Sequence, residues 1–312
     1  MEAVKVIVVT PDQAETRRWQ DALQAGLPDF EVLPWRPGQP QSGARYAVVW
    51  SPPGDLFQVE TGLKAVFNLG AGVDRVLALP GLPDIPVFRL EDAGMAPQMA
   101  EYVIHSLAGY SRGFHAYTVL QSKERWAPLR ATRYEDWPVG VMGLGALGAH
   151  VAQAVARQGY PVAGWARSDR TLDGVQVFHG NDQLNAFLSR TRVLVNLLPL
   201  TPQTAGIIDG RLLASLLPDA VLINIARGAH VVDDDLLAAL DSGRLRAAVL
   251  DVFGQEPLPA GHPYWSHPRV RITPHIAAET LEAQAIEQIR DRLRRLERGE
   301  AVSGVVGRDT GY

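Results

Sequence analysis

Residues 137–156 read WPVGVMGLGALGAHVAQAVA, an apolar run followed by closely spaced glycines and then by an alanine-rich segment. The run Val139–Met142 is long enough for one buried strand, and the alanine-rich segment has the composition of a helix. Gly143, Gly145 and Gly148 mark the junction and give the pattern G-x-G-x-x-G. In this pattern the first glycine permits a tight turn, the second lets a pyrophosphate approach the backbone, and the third lets helix and strand pack closely. We therefore expect a dinucleotide whose phosphates lie at the N-terminus of the helix.

A G-x-G-x-x-G pattern by itself is a weak signal, because a flexible turn gives the same spacing. In this chain the pattern follows a strand, opens a helix and leads to a second apolar run at residues 161–165. That context is the one that a dinucleotide site requires. The candidate cofactor-binding residues of this loop are Gly143, Gly145, Ala146, Leu147 and Gly148.

The end of the second apolar run indicates which dinucleotide binds. Enzymes that prefer NAD place Asp or Glu there to hold the ribose 2′-hydroxyl, whereas a 2′-phosphate favours a cation. This chain has Ala166, Arg167 and Ser168 at that point, and its acids Asp169 and Asp173 come later, in a surface loop. We therefore predict that Arg167 and Ser168 contact the cofactor and that NADP(H) is preferred. Binding of NAD(H), with Arg167 as a solvated loop charge, is the alternative.

The composition is that of a globular protein of about two domains, with 312 residues, 46% of them hydrophobic and 21% charged. A net charge of −4 gives no reason to expect nucleic acid or an anionic membrane as a partner. The chain has no cysteine, which excludes disulfides, thiol catalysis and cysteine-type zinc sites, and we predict no metal site. The N-terminus has the pattern of a strand and not of a signal peptide, and no apolar run approaches the length of a membrane span, so we expect a cytoplasmic protein.

Short apolar runs alternate with helical patterns along the whole chain, which predicts parallel sheets covered on both faces. The predicted strands are 4–9, 30–34, 46–50, 63–68, 87–90, 139–142, 161–165, 193–198, 221–226, 247–253 and 270–273. The predicted helices are 11–23, 97–115, 146–157, 209–217, 233–242 and 278–298. Between the two halves, residues 117–134 have no regular pattern and are expected to form an extended arm.

A second glycine-rich strand end occurs at residues 68–74, which read NLGAGVD. Exposed backbone N–H groups in such a turn can form a small nest for an anion such as a carboxylate. A tight turn before a helix would have the same sequence, so these residues alone leave both interpretations open.

Polar residues gather at three strand ends in the second half of the chain, where ligands of open α/β sheets bind. They are Arg227, Glu256 and His275, and Asp251 lies within the predicted strand 247–253. An arginine can hold a carboxylate or carbonyl oxygen, and a histidine paired with a carboxylate can transfer a proton near neutral pH. Beside a nicotinamide this set predicts reduction of a 2-keto acid. Taken singly, each residue also has a structural interpretation, as a strand cap, a loop residue or a buried histidine.

The chain resembles the D-isomer-specific 2-hydroxyacid dehydrogenases, most closely their glyoxylate/hydroxypyruvate reductase A subgroup. The resemblance covers almost the whole chain. Its motifs are FNLGAGVD at 67–74, FRLED at 88–92, GLGALG at 143–148, NLLP at 196–199, NIARG at 224–228, DDDLLAALDSG at 233–243, LDVF at 250–253 with Glu256 and Pro257, and TPHIA at 273–277.

The resemblance implies a role for each site residue. It implies that Arg227 anchors the substrate, that Glu256 pairs with the imidazole and that His275 is the acid and base. It further implies that Trp50 lines the substrate pocket and that Asp251 meets the nicotinamide carboxamide. The remaining implied contacts are Ala71 and Gly72 for the substrate carboxylate, and Leu198, Pro199 and Ala226 for the cofactor.

The resemblance also implies the architecture and the reaction. The fold would be two Rossmann-like, doubly wound α/β domains with the active site in the cleft between them. The substrate domain would comprise residues 1–97 and 279–312, and the NADP-binding domain residues 98–278. The family usually forms homodimers through the cofactor domain, which suits the arm at 117–134.

The implied activity is NADPH-dependent reduction of glyoxylate and hydroxypyruvate to glycolate and D-glycerate. The alternatives are a dehydrogenase for another 2-keto acid, such as phenylpyruvate, and a non-catalytic protein that senses NADP(H).

Overall fold

The computed structural model describes residues 3–307 and 311, and it divides the chain into two compact units. Unit 1 contains the residues up to Gly94 and those from Thr280 onward, and unit 2 contains Met95–Glu279. Each unit is built on its own parallel sheet with helices between the strands, so the predicted α/β class is confirmed. Strands and helices are numbered below along the whole chain.

The sheet of unit 1 consists of short runs of apolar residues. Within the described residues its strands are β1 (Val4–Val9), β2 (Phe30–Pro34), β3 (Tyr46–Val49), β4 (Ala65–Asn68) and β5 (Val87–Phe88). They pair in parallel in the order β2-β1-β3-β4-β5. Residues such as Ile7, Val48 and Val66 are fully buried, as expected for strands covered on both faces.

The helices of unit 1 come from both ends of the chain. They are α1 (Gln13–Gly26), α2 (Leu56–Val59), α3 (Asp74–Leu77) and α10 (Glu282–Glu297). Asp12 caps α1, because its side chain accepts a hydrogen bond from the Glu15 N–H at 2.9 Å. The buried Arg292 of α10 donates to the Arg89 carbonyl at 2.6 Å and pairs with Glu91, which ties α10 to the chain after β5.

The sheet of unit 2 is larger. Its strands in the described chain are β6 (Val139–Met142), β7 (Val162–Ala166), β8 (Gln176–His179), β9 (Val193–Asn196), β10 (Ala220–Asn224), β11 (Leu245–Leu250) and β12 (Val270–Ile272). All pair in parallel, in the order β12-β11-β10-β9-β6-β7-β8. Val193 and Val195 pack into one core and the intervening Leu194 into another, so both faces of the sheet are covered. Because all these strands are parallel, their carboxyl ends lie along one edge of the sheet.

The helices of unit 2 are α4 (Met95–Ser111), α5 (Phe114–Ser122), α6 (Ala146–Arg157), α7 (Leu184–Leu188), α8 (Gly210–Ser215) and α9 (Asp233–Asp241). The prediction of α6 is confirmed at both of its ends. α4 begins at Met95 and ends at Ser111, so the prediction of 97–115 is displaced. No described helix is both long and apolar enough to cross a membrane.

Further features of unit 2 differ in detail from the predictions. The first part of the expected arm is helical, as α5; its apolar residues are exposed, so the sequence shows no buried-face pattern there. Strand β8 was not predicted, because it is an edge strand with only partly buried side chains. Strand β11 ends at Leu250, so Asp251 follows the strand; the Asp251 carbonyl accepts from the His275 N–H at 2.8 Å, in the loop after β12.

Candidate active site

The glycine-rich loop joins β6 to α6 and packs tightly on one side. A Cβ atom on Gly148 would lie 1.8 Å from the Gly143 carbonyl oxygen, and one on Gly143 would lie 2.6 Å from the Leu197 oxygen. A Cβ atom on Gly145, by contrast, would have no atom of the described residues within 4 Å apart from its neighbours in the chain. The first N–H groups of any α-helix have no intrahelical acceptor. Gly145 is the N-cap of α6 and has no side chain to accept from them, so they stay available to a ligand. This open face fits a pyrophosphate.

The strand end beside that loop carries positive charge. Arg167 and Ser168 follow β7 directly and are exposed. The Asp169 carboxylate lies 3.5 Å from Nδ1 of His179, and the Arg170 guanidinium donates to the carbonyl of Leu144 in the glycine-rich loop. No acid occupies the strand end itself, so the local charge is that expected for a 2′-phosphate.

The other cofactor candidates follow the neighbouring strands β9 and β10. Leu198 and Ala226 are buried, with 8% and 7% of their surface exposed. The Pro199 carbonyl accepts from the Thr204 hydroxyl at 2.7 Å, which fixes the turn after β9. Because β9 pairs with both β6 and β10, these residues lie on the same sheet edge as the glycine-rich loop.

Arg227 is half-buried and comes between β10 and a short 3₁₀ turn, Gly228–His230. Its Nη1 donates to the Ala226 carbonyl at 2.7 Å. The turn that follows needs glycine, since a Cβ on Gly228 would lie 1.8 Å from the carbonyl carbon of Phe253. The backbone beside Arg227 is thus held against the loop after β11. The hydrogen bond to the Ala226 carbonyl gives the guanidinium a defined position.

The structure brings two predicted residues, His275 and Glu256, into direct side-chain contact. Nδ1 of His275 lies 2.9 Å from Oε2 of Glu256, and Oε1 of the same carboxylate accepts from the Phe253 N–H at 3.0 Å. The imidazole is 42% exposed, and its Nε2 has no hydrogen-bond partner among the described residues. A carboxylate on Nδ1 holds the ring in one orientation and leaves Nε2 as the nitrogen that can transfer a proton.

Asp251 is only 1% exposed and holds the loop that carries His275. Its Oδ1 accepts from the Thr273 hydroxyl at 2.6 Å and from the Ile276 N–H at 2.8 Å, and its Oδ2 accepts from the Ala277 N–H at 2.8 Å. The Tyr102 hydroxyl lies 2.5 Å from that of Thr273 and extends the network to α4. His275 itself has φ of +56°, an uncommon value for a residue with a side chain, so its loop depends on these contacts.

The predicted substrate residues of unit 1 surround the loop after β4. The buried Asn68 amide donates to the carbonyls of Gly70 and Gly72, at 2.9 Å each. With those carbonyls turned toward Asn68, the N–H groups of Ala71 and Gly72 donate to no atom of the described residues. Trp50 packs on the same loop, because a Cβ on Gly70 would lie 2.6 Å from its ring. The loop therefore has the donors of an anion nest.

Sequence reasoning missed the buried and half-buried polar residues that support this site. They are Tyr102, Thr273, Asn196, Asn224 and His230. One signal was available, because both β9 and β10 end in asparagine, and the two asparagines are register partners. Among the described residues, no group of three or more metal-ligating side chains could hold a metal ion.

Comparison with known proteins agrees with the geometry. A family model described as D-isomer specific 2-hydroxyacid dehydrogenase, NAD binding domain, matches residues 104–277. The chain is 48% identical over 304 residues to glyoxylate/hydroxypyruvate reductase A of Escherichia fergusonii, a match that covers 96% of this chain and 97% of that protein.

Two similar solved structures contain a dinucleotide. A D-isomer specific 2-hydroxyacid dehydrogenase from Xanthobacter autotrophicus Py2, in complex with NADPH and MES, has a TM-score of 0.93 and 40% identity, with 100% of both chains covered. An NADPH-dependent glyoxylate/hydroxypyruvate reductase from Sinorhizobium meliloti, in complex with NADP and sulfate, has a TM-score of 0.92 and 40% identity over 99% of this chain and 100% of that one. The resemblance seen in the sequence is confirmed, and the chain belongs to the D-isomer specific 2-hydroxyacid dehydrogenase family.

Proposed function

We propose that this protein is an NADPH-dependent reductase that converts glyoxylate to glycolate and hydroxypyruvate to D-glycerate. The observation that carries the proposal is the contact of 2.9 Å between His275 and Glu256, on the sheet edge that also holds Arg227 and the glycine-rich loop. The names of the relatives from Escherichia fergusonii and Sinorhizobium meliloti support the choice of substrates.

The cofactor site would be formed by the carboxyl edge of the sheet in unit 2. The open face at Gly145 would receive the pyrophosphate, and Arg167 with Ser168 would hold the 2′-phosphate. The contacts of the nicotinamide half would come from Leu198, Pro199, Ala226 and Asp251. When bound, NADPH supplies the hydride that reduces the keto carbon.

The protein's own part in the reaction is to supply a proton and to hold charge. His275 would donate the proton on Nε2 to the carbonyl oxygen of the substrate as that carbon is reduced. Glu256 keeps the Nδ1 side of the ring occupied, so that Nε2 is the nitrogen available for the transfer. Arg227 would bind the same oxygen or the neighbouring carboxylate, where its charge stabilises the developing alkoxide.

In unit 1 the proposed substrate contacts are the N–H groups of Ala71 and Gly72, which would bind the carboxylate of the keto acid. Their support is the turn held by Asn68, which leaves both donors unused by the described residues. Trp50 is proposed to line the pocket, because its ring packs on Gly70 beside those donors.

The test is a direct assay of the purified protein. Oxidation of NADPH and of NADH should be followed side by side with glyoxylate, hydroxypyruvate, pyruvate and phenylpyruvate. The proposal expects turnover with NADPH and the first two acids to exceed every other combination. A preference for phenylpyruvate would support the proposed reaction and show that the proposed substrates are wrong. If no acid is turned over and NADPH binds tightly, the proposed activity is wrong, and the protein instead senses the cofactor.

The proposal includes a homodimer formed through unit 2. Its support is a set of large apolar side chains on α5 and the following segment that are exposed in the described chain. They are Phe114 (54%), Tyr117 (37%), Val119 (49%), Trp126 (100%), Leu129 (44%) and Tyr134 (46%). Large apolar side chains that gather exposed on one segment typically mark a protein interface. Light scattering coupled to size-exclusion chromatography should give twice the mass of the chain, and Trp126→Asp should shift the protein toward the monomer.

A further inference from the structure

A buried polar cluster at the carboxyl ends of β9 and β10 is given no role in the function proposed above. Its members, Asn196, Asn224 and His230, are each 0% exposed. Asn196 and Asn224 are the last residues of adjacent strands and lie opposite each other in the sheet. His230 ends the 3₁₀ turn that follows Arg227. Burying a polar side chain costs free energy of folding unless the side chain is fully hydrogen-bonded. The hydrogen bonds of these three residues therefore indicate their role.

The hydrogen bonds fix the orientation of both amides. Oδ1 of Asn196 accepts from the Leu198 N–H at 3.3 Å, so its Nδ2 is the atom that donates to Oδ1 of Asn224 at 2.9 Å. Oδ1 of Asn224 also accepts from the Ala226 N–H at 3.3 Å, and its Nδ2 donates to the Arg227 carbonyl at 2.9 Å. Each asparagine therefore binds the backbone just beyond its own strand.

The imidazole of His230 contacts three groups. Its Nδ1 lies 2.9 Å from Nδ2 of Asn196 and 3.1 Å from the Arg227 carbonyl oxygen. Its Nε2 lies 3.2 Å from the Pro199 carbonyl oxygen, which can only accept a hydrogen bond. The backbone N–H of His230 donates to the Arg227 carbonyl at 3.3 Å.

We propose that His230 is a positioning residue that holds the turn at Pro199 and the backbone of Arg227 in a fixed relation. Nε2 of the ring contacts the turn after β9. Nδ1 contacts Asn196 and also the Arg227 carbonyl, to which the Asn224 amide donates. The substrate anchor and the cofactor turn are thereby built on one hydrogen-bonded network. The inference rests on the proposed function, since it assigns a role relative to Arg227 and the cofactor.

The test compares two substitutions at this position. His230→Leu removes the ring's contacts with Asn196 and with the Arg227 and Pro199 carbonyls, so the Pro199 carbonyl keeps only its bond from Thr204. Since small displacements of positioned groups reduce rates by as much as about 100-fold, we expect KM for glyoxylate and Kd for NADPH to rise together by about 10-fold or more. His230→Gln retains an acceptor and an N–H donor, and it should recover most of both constants.

The matched control is Thr191→Val, which removes another buried hydrogen bond of the same unit at the opposite end of β9. The Thr191 hydroxyl donates to the Phe187 carbonyl at 2.8 Å, and the residue is 1% exposed. Its loss should lower the melting temperature and leave KM and Kd unchanged. Partial unfolding of His230→Leu would reduce the number of active molecules, and therefore kcat, without raising either constant.

The outcomes separate this inference from the proposed function. If the wild-type protein reduces no keto acid, the proposed function fails, and NADPH binding measured by its fluorescence still tests the cofactor half of the network. If the wild-type protein is active and His230→Leu keeps both constants, the positioning role is wrong. Equal loss in the Leu and Gln variants would also overturn it, because the hydrogen bonds would then not be the cause.

Discussion

Nδ1 of His275 lies 2.9 Å from Oε2 of Glu256, and the other oxygen of that carboxylate is held by the backbone N–H of Phe253. The carboxylate is thus anchored before it meets the ring, and the ring cannot rotate without losing a charge-assisted contact. This places the exposed Nε2 on a side chain with one orientation. A general acid needs that property more than it needs burial.

Replacing the acid should remove most of the activity. His275→Ala should lower kcat by about 100-fold or more, the usual contribution of a general acid, with little change in NADPH affinity. Glu256→Gln should also lower kcat, because the carboxylate that orients the ring is lost.

His267→Ala is the matched control for that prediction. His267 also contacts a carboxylate, with Nε2 at 3.2 Å from Asp241, but it lies before β12 and away from the proposed site. Steady-state kinetics of the three variants across the pH range on either side of neutrality provide the measurement. Full activity in His275→Ala would show that the proton comes from another group.

Two glycines of the same loop should respond differently to alanine. Gly145→Ala places a methyl group in open space and in an allowed conformation, so it should leave the melting temperature nearly unchanged and weaken NADPH binding. Gly148→Ala places its methyl group 1.8 Å from the Gly143 oxygen, so it should destabilise the fold itself. Thermal melts with and without NADPH distinguish the two effects. Unchanged binding in Gly145→Ala would move the pyrophosphate away from this loop.

Charge at the end of β7 should determine the cofactor preference. Arg167→Asp should raise KM for NADPH by about 10-fold or more and change KM for NADH much less, because only the former carries a 2′-phosphate. Arg211→Asp, on the exposed surface of α8, is the control for a general change of charge. The ratio of the two kcat/KM values is the quantity to compare. An equal loss with both cofactors would assign Arg167 a structural role.

The support of the His275 loop should be measurable through Thr273. Thr273→Val removes the donor to Asp251 and the partner of Tyr102, so we expect kcat to fall by roughly 10-fold through displacement of His275. Tyr102→Phe removes only the outer contact and should have a smaller effect in the same direction. Kinetics at saturating NADPH test this order. A larger loss in Tyr102→Phe would contradict the proposed chain of contacts.

Unit 1 offers a test of stability that is independent of catalysis. The buried Tyr46 hydroxyl donates to Glu297 at 2.5 Å, and burial, with the carboxylate beside it, raises the pKa of Tyr46 above its usual range. Tyr46→Phe should lower the free energy of unfolding of this unit by about 1.5 kcal/mol at neutral pH. Tyr134→Phe, at an exposed ring, is the control.

The pH dependence of that test has a defined sign. A raised pKa means that the folded state favours the neutral hydroxyl, so its contribution is complete below the unfolded value of about 10 and is lost as the pH rises further. Above about pH 10 the wild-type protein should therefore lose stability faster than Tyr46→Phe. Parallel melting curves of the two proteins from neutral pH to about pH 11 would contradict the pKa assignment.

The sequence was most informative where local chemistry determines the structure. The glycine spacing and the apolar run before it were sufficient to predict β6 and both ends of α6, because tight packing at Gly143 and Gly148 permits little else. Predictions were poorer where burial was incomplete, as in α5 and β8. For the network of Asn196, Asn224 and His230, the sequence signals only the asparagine that ends each strand. The contacts themselves could not be predicted, because they depend on side chains brought together by strand pairing over some distance in the chain.

The two units differ in the number of chain segments that form them. Unit 2 is one continuous segment, whereas unit 1 requires α10, whose Glu297 meets Tyr46 across 251 positions. During synthesis from the N-terminus, unit 2 is complete on the ribosome while β3 still lacks its partner on α10. The order of maturation should therefore be the reverse of the order of sequence, with the earliest-made strands among the last to reach their final contacts.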